Sequence, residues 1–371
     1  MTSPVPEAIR VLLVDDSAVV RGVFGRVIDA EPDLRVAQTA GNGRQALDVL
    51  ARHPVDVVIL DIEMPVMDGL TALPLILAAH PHVRVIMASS LTQEGAKTTM
   101  QALAAGAADF VHKPTTKGGT TAATETGAEL VRKIRALGNA ARRALGAPSA
   151  PAVATPTFVP TVATRSRPVA IAPANDGDFT PRLLAIASST GGPNALAEVL
   201  SALPTDFPLP TVITQHMPPL FTKMLAERLQ KDARRPCREA VDGEAIEAGV
   251  IYLAPGDRHL VLKPSEGQVI TTLSSAPAEN FCRPAADPML RSSVRAFGGD
   301  VLLVVLTGMG EDGMRGAREV QSAGGRVIVQ DEATSVVWGM PGAVVRAGIP
   351  AEQLPLSEIA GQIATRCMVS R

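Results

Sequence analysis

A serine that ends an apolar run and precedes two glycines can serve as a nucleophile. Leu183-Leu184-Ala185-Ile186-Ala187-Ser188-Ser189-Thr190-Gly191-Gly192-Pro193 has that layout: a strand-like run, a sharp turn, then a helix-like segment. Glycine lets the backbone bend and a substrate approach closely. Free N–H groups at the helix start can hold a developing oxyanion. A glycine-rich β–α turn with a capping serine reads the same way, and the hydrolase pattern G-x-S-x-G is not met, because Ala187 stands at its first glycine. Two more strand ends in this half, Gln215-His216-Met217-Pro218-Pro219 and Thr307-Gly308-Met309-Gly310-Glu311-Asp312-Gly313, supply a histidine and an aspartate. Serine needs a base to take its proton, and histidine titrates in the right range. A carboxylate behind the ring fixes its tautomer, and the chain order Ser189, His216, Asp312 is no obstacle because geometry alone matters. His259 is a rival base at another turn, and Asp312 could instead cap the helix after it.

A second set of reactive groups lies in the N-terminal half. Asp15, Asp16, Asp61, Ser89 and Lys113 each follow an apolar run. Three carboxylates on one edge repel one another unless a cation joins them, and an oxygen-only ligand set points to magnesium. The lysine and the hydroxyl could then hold phosphoryl oxygens while one carboxylate accepts the phosphoryl group. Each aspartate taken singly could be a cap; five suitable residues at five strand ends argue for a shared site.

The elements that must position these groups follow from the pattern of apolar runs. Strands are predicted at 9–14, 34–39, 55–60, 83–88 and 109–111, with helices between them and a last one from about 125 to 137. Uninterrupted apolar strands separated by helices imply a parallel sheet covered on both faces, and five such units suit a doubly wound, flavodoxin-like fold. Ligands in such folds bind beyond the carboxyl ends of the strands, where the aspartates lie. From 138 to 180 the pattern dissolves into Ala, Pro, Thr and Val, as in an extended linker. Arg142, Arg143, Arg165 and Arg167 read there as solvated charges. From 181 to 371 the alternation returns, predicting a second α/β domain with a mostly parallel sheet and a hairpin-like excursion around 250–272. The division is therefore 1–137, linker 138–180, and 181–371.

Composition limits the alternatives. The 371 residues carry a formal net charge of −2, and 46% are hydrophobic. Neither half has the basic excess of a nucleic-acid binder. Cys237, Cys282 and Cys367 are too far apart for a zinc site or a disulfide framework and read as free thiols in a reducing compartment. No secretory leader and no membrane-length apolar run are visible, so a cytoplasmic protein is expected.

The motifs Val14-Asp15-Asp16-Ser17, Leu60-Asp61-Ile62-Glu63-Met64-Pro65-Val66-Met67-Asp68-Gly69, Ser89 and Phe110-Val111-His112-Lys113-Pro114 resemble the receiver domain of two-component response regulators. The resemblance implies that Asp61 accepts phosphate from a chemotaxis histidine kinase and that Asp15, Asp16 and Asp61 bind Mg2+. It also implies that Ser89 and Lys113 sense the phosphorylated state with Phe110 as an aromatic switch, though Phe110 reads equally as a core residue. The motifs Ser189-Thr190-Gly191-Gly192-Pro193, Gln215-His216-Met217-Pro218-Pro219, Leu306-Thr307-Gly308-Met309-Gly310-Glu311-Asp312-Gly313 and Trp338-Gly339-Met340-Pro341 resemble the chemotaxis protein-glutamate methylesterases, which carry a receiver in front of the esterase. That resemblance implies hydrolysis of glutamate methyl esters on the cytoplasmic domains of chemoreceptors, with glutamine deamidation as a second activity. Ser189, His216 and Asp312 would form the triad, and the N–H groups of Thr190 and Met309 the oxyanion hole. The chain departs from the family in reading Ala187-Ser188 for Gly-Ala and Cys282-Arg283-Pro284 for His-Arg-Pro, which makes Ser188 a decoy that the turn should point elsewhere. A response regulator with a catalytically inactive, partner-binding second domain is the alternative.

Overall fold

The computed structural model describes residues 7–90, 92–114, 120–146 and 179–368. Its N-terminal domain is built on five strands, β1 (Ile9–Val14), β2 (Leu34–Ala40), β3 (Val57–Asp61), β4 (Arg84–Ser89) and β5 (Asp109–His112). They lie in the order β2-β1-β3-β4-β5 with every neighbour parallel. The helices α1 (Ala18–Asp29), α2 (Gly43–Leu50), α3 (Gly69–Ala79), α4 (Gln93–Ala104) and α5 (Thr120–Ala144) connect and follow them. Ser17, Asn42, Asp68 and Thr92 each accept a hydrogen bond from the N–H three residues on. A side-chain oxygen at this position satisfies one of the donors that a helix start leaves unpaired.

Helix α5 is longer than its apolar pattern predicts, running from Thr120 to Ala144 instead of closing near 137. The reason is Arg142, which is buried and not a solvated charge. Its guanidinium lies 2.9 Å from the Asp56 carboxylate, and Arg10 holds the other carboxylate oxygen at 2.8 Å. Burial pushes the Asp56 carboxyl up, but the bonds from Arg10 and Arg142 outweigh it and hold its pKa below 3.8. The resulting stabilisation is complete above about pH 4 and is lost as pH falls through the folded value. Asp56→Ala should cost about 3–5 kcal/mol, because two guanidinium groups lose their shared partner. A urea midpoint within experimental error of wild type would refute the role given to this triad of charges. Of the expected linker, residues 147–178 lie outside the described residues.

The C-terminal domain carries a seven-stranded sheet, every pair parallel, in the order β14-β13-β12-β6-β7-β9-β8. These strands are β6 (Leu183–Ser188), β7 (Thr211–Gln215), β8 (Cys237–Glu239), β9 (Ile251–Leu253), β12 (Val301–Val305), β13 (Arg326–Gln330) and β14 (Glu352–Leu354). The edge strands β8 and β14 have three residues each, too short for a period-2 signal, and the sequence reading missed both. The expected excursion is the antiparallel hairpin of β10 (His259–Ser265) and β11 (Gln268–Ser274). Helices α6 (Gly192–Ala202), α7 (Phe221–Ala233), α8 (Ala286–Phe297), α9 (Met314–Ser322), α10 (Met340–Arg346) and α11 (Leu356–Met368) cover the sheet. The chain leaves β6 toward β7 on one side and returns to β12 on the other. This reversal opens a crevice at the carboxyl ends of β6, β7 and β12. The two domains share one buried apolar cluster, to which Met100, Leu103 and Phe110 contribute from one side and Leu196, Phe221 and Leu225 from the other.

Candidate active site

The serine turn is held by its neighbours on β7 and β12. Ser188 ends β6, is fully buried, and donates to Gln215 Oε1 at 2.7 Å. Gln215 Nε2 in turn donates to the carbonyl of Ser189 at 2.9 Å. Adjacent residues of an extended chain face opposite ways, so Ser189 leaves the sheet on the crevice side, where it is only half buried. Its N–H donates to Thr307 O at 3.1 Å. Gly191 completes the turn at φ +79°, a region that disfavours any side chain. Gly308 abuts Ser189 so closely that a Cβ there would lie 2.9 Å from Ser189 Cβ. Among the described hydrogen bonds, none is donated by the N–H of Thr190 or of Met309, so both remain available to an incoming oxyanion.

His216 and Asp312 meet directly, with His216 Nε2 2.7 Å from Asp312 Oδ2. Asp312 is buried where two helices begin. It accepts the N–H of Ala286 at 2.5 Å and of Asp287 at 3.2 Å, the first residues of α8, and the amide of Asn280 at 2.9 Å. Asp312 thus caps α8 and not the helix that follows it. Asp287 reciprocates by accepting the N–H of Gly316 in α9 at 2.8 Å. A helix N-terminus favours an anion. Burial pushes the Asp312 carboxyl up, but His216, Ala286 and Asn280 outweigh it and hold it below the usual range. Asp287 moves the other way, raised by burial and by the neighbouring Asp312 charge. The second ring nitrogen of His216, Nδ1, lies 3.4 Å from Cys282 Sγ. Among the described residues Ser189 Oγ forms no hydrogen bond, so the structure joins two of the three expected triad members and leaves the serine apart. His259 is saturated instead, accepting the Ala285 N–H at Nδ1 and lying 3.1 Å from Pro277 O at Nε2, which removes it as a rival base. Asn280, Asp287 and Gln215 were missed from sequence, since each acts through a partner far away in the chain.

On the N-terminal domain, Asp15, Asp16 and Asp61 bring carboxylate oxygens within 4.8 Å of one another. Lys113 Nζ lies 2.6 Å from Asp61 Oδ1 and 3.1 Å from Asp15 Oδ2. Asp61 Oδ2 is buried and, among the described residues, accepts no hydrogen bond. A hard divalent cation fits such a set, because oxygen ligands are what it requires. Burial raises the Asp61 carboxyl to about 6, with Lys113 opposing and Asp15 adding to the shift. Its folded pKa lies above the unfolded one, so stability falls as pH rises from about 4 to 6. Asp61→Asn should therefore stabilise the cation-free protein at pH 7.5 by on the order of 2 kcal/mol. Magnesium should raise the melting temperature of wild type more than that of the variant. A variant that melts below wild type without magnesium would contradict this. Ser89 is buried, with its Oγ accepting from Thr99 Oγ1 on α4 at 2.6 Å.

The two sites are joined by β5. Asp109, its first residue, accepts the hydroxyl of Thr190 at 2.5 Å, and Ala108 O accepts the N–H of Gly191 at 3.1 Å. The other Asp109 oxygen takes Lys133 Nζ of α5 at 3.0 Å. Phe110 stacks on Phe221 of α7, with centroids 4.4 Å apart and planes 11° from parallel, and His112 meets the same ring edge-on. Asn194 of α6 donates to Leu103 O of α4 at 2.6 Å. Lys113, which touches Asp61, follows directly after β5, so a single short strand links the acidic edge to the serine turn.

Residues 184–363 match the family model described as CheB methylesterase, and residues 11–125 match that of the response regulator receiver domain. A protein-glutamate methylesterase/protein-glutamine glutaminase of Azospirillum brasilense is 49% identical over 360 residues, covering 95% of this chain and 91% of the relative. A similarly named protein of Paramagnetospirillum magneticum is 50% identical over 367 residues, covering 96% of each. Among solved structures, the CheB methylesterase catalytic domain of Thermotoga maritima is 41% identical and aligns with a TM-score of 0.49, over 50% of this chain and 98% of that one.

Proposed function

This chain belongs to the protein-glutamate methylesterase/protein-glutamine glutaminase family, and from that premise we propose how its residues perform and restrain the reaction. The enzyme demethylates and deamidates chemotaxis receptors. Ser189 attacks the ester carbonyl of a methylated glutamate side chain, and His216 takes the serine proton. The Thr190 and Met309 N–H groups hold the oxyanion. His216 returns the proton to the departing methoxide, giving methanol, and water then resolves the acyl-enzyme by the same route. With glutamine the leaving group is ammonia. Asp312 orients the ring and offsets the imidazolium charge. The observation that carries this reading is the His216–Asp312 contact, set on strand ends that flank the serine turn.

A bound Mg2+ would offset negative charge on Asp61 and on the incoming phosphoryl group; Asp15, Asp16 and Asp61 would hold it. The histidine kinase of the chemotaxis pathway would be the phosphodonor, and the cytoplasmic domains of chemoreceptors the substrate. Phosphorylation at Asp61 adds charge that Lys113 can answer, and Ser89 must leave Thr99 to reach it. Movement at Lys113 and Ser89 acts on β5 and α4, the elements docked on the C-terminal domain, with Phe110 and Phe221 as the joint. The test is methanol release from methyl-labelled receptor, with and without a small phosphodonor. Stimulated release supports the reading; no release under either condition would favour a catalytically inactive second domain.

A further inference from the structure

The segment 279–283 wraps the outer side of the His216–Asp312 pair. Glu279 and Cys282 exchange backbone hydrogen bonds of 3.1 and 2.9 Å. Glu279 takes both terminal nitrogens of Arg291, at 2.6 and 2.9 Å, and Arg283 Nε holds Asp257 at 2.9 Å. Between these anchors Asn280 and Phe281 adopt left-handed backbone at φ +51° and +64°. Such a pair persists only where its surroundings over-determine it. The result is an alternation of directions: Asn280 inward onto Asp312, Phe281 outward and 91% exposed, Cys282 inward onto His216.

The contact with Cys282 falls on the nitrogen that matters. Asp312 is ionised and takes Nε2, so that nitrogen carries the hydrogen. A proton from Ser189 must therefore arrive at Nδ1, where Cys282 Sγ already lies at 3.4 Å. We propose that Cys282 is a positioning residue of the hydrolysis: it engages His216 at Nδ1 and withholds the base from Ser189 until the thiol gives way. This rests on the roles assigned above to Ser189 and His216, and names how that site is held at rest. Among the described residues, the titratable groups around the ring are Asp312, Cys282 and, behind Asp312, Asp287. Burial lowers the His216 pKa, but the sulfur and Asp312 outweigh it and raise the ring to about 10. A ring that keeps its proton cannot accept another. The other two thiols are silent: burial pushes Cys237 and Cys367 up to about 12. Cys282 is half-buried and stands where this chain departs from the family's His-Arg-Pro.

Two readouts test the assignment on the full chain. The first is the pH profile of kcat/KM in the unphosphorylated full chain, for wild type, Cys282→Ala and Cys282→Ser. The acidic limb reports protonation of the base. Both variants lack the sulfur that helps raise the ring and should move that limb down by about one pH unit or more. A limb that stays in place in both variants overturns the proposal. The second is labelling of the folded protein by iodoacetamide, mapped by mass spectrometry. The sulfur attacks the reagent's methylene carbon, iodide leaves, and the thiol proton passes to solvent. Cys282 should label first, and His216→Gln should slow it about tenfold. Equal labelling rates in wild type and His216→Gln overturn the proposal. Labelling needs no turnover, so failure of the Ser189 assignment, read from Ser189→Ala, is separable from failure of the Cys282 contact.

Discussion

Ser189→Ala should abolish methanol release, with a loss of at least about 10,000-fold, while Ser188→Ala remains an active esterase. Members of a nucleophile–base pair act as a unit, and removing the nucleophile leaves only what binding and the oxyanion donors supply. Ser188 cannot substitute. It is fully buried, and its hydroxyl is committed to Gln215 Oε1. Its removal strands that oxygen, so Ser188→Ala should instead lower stability by about 1–3 kcal/mol, visible as an earlier urea midpoint. Steady-state methanol release and the denaturation curve together separate the two serines. A dead Ser188→Ala enzyme that folds normally, beside an active Ser189→Ala enzyme, would reverse the assignment.

Separating the domains should raise basal activity by on the order of 100-fold, the effect of a shift of about 3 kcal/mol in a docking equilibrium. The physical motive is the contact at β5. Thr190, whose N–H is the proposed oxyanion donor, has its hydroxyl tied to Asp109, and Gly191 is tied to Ala108. The N-terminal domain therefore grips the turn that must meet the substrate. A fragment of residues 179–371 should turn over faster than the unphosphorylated parent and should ignore phosphodonor, which stimulates the parent alone. Asp109→Asn keeps an acceptor but loses the charge, and should give a smaller gain of about tenfold, in line with the 1.5–3 kcal/mol of a charged hydrogen bond. A fragment no faster than the unphosphorylated full chain would eliminate inhibition by docking. Catalysis assisted by the N-terminal domain would then be required.

The reactive residues and the fold class were legible in the chain because both are local signals. Apolar runs of five or six residues ending in Asp15, Asp61, Ser89, Ser189 or His216 carry their own strand assignment, and a parallel sheet gathers strand ends on one edge. Helix caps such as Ser17 and Asp68 are equally local. The three-residue edge strands β8 and β14 are not, and they emerged only with the sheet that recruits them. Arg142 shows the same limit from the side of charge. Its sequence context is a polar helix end, and only groups far away in the chain, Asp56 at 86 positions and the carbonyls of Glu7 and Ala8, make burial favourable.

What tertiary structure alone decided is the pairing of groups distant in sequence. Asp312 lies just before α9, yet it caps α8 because the two helices begin side by side. Asp109 looks like an ordinary strand residue until Thr190, 81 positions on, is set against it. Cys282 stood out as a departure from a family pattern, but nothing local says that its sulfur meets His216 Nδ1. A hydrogen bond is a matter of ångströms and angles, and those are set by the packing of α8, β5 and the 279–283 segment onto the sheet. The sequence by itself determined which chemistry this protein carries; the packing decided which nitrogen of His216 meets Cys282, which serine is buried against Gln215 and which face of the N-terminal domain meets the serine turn.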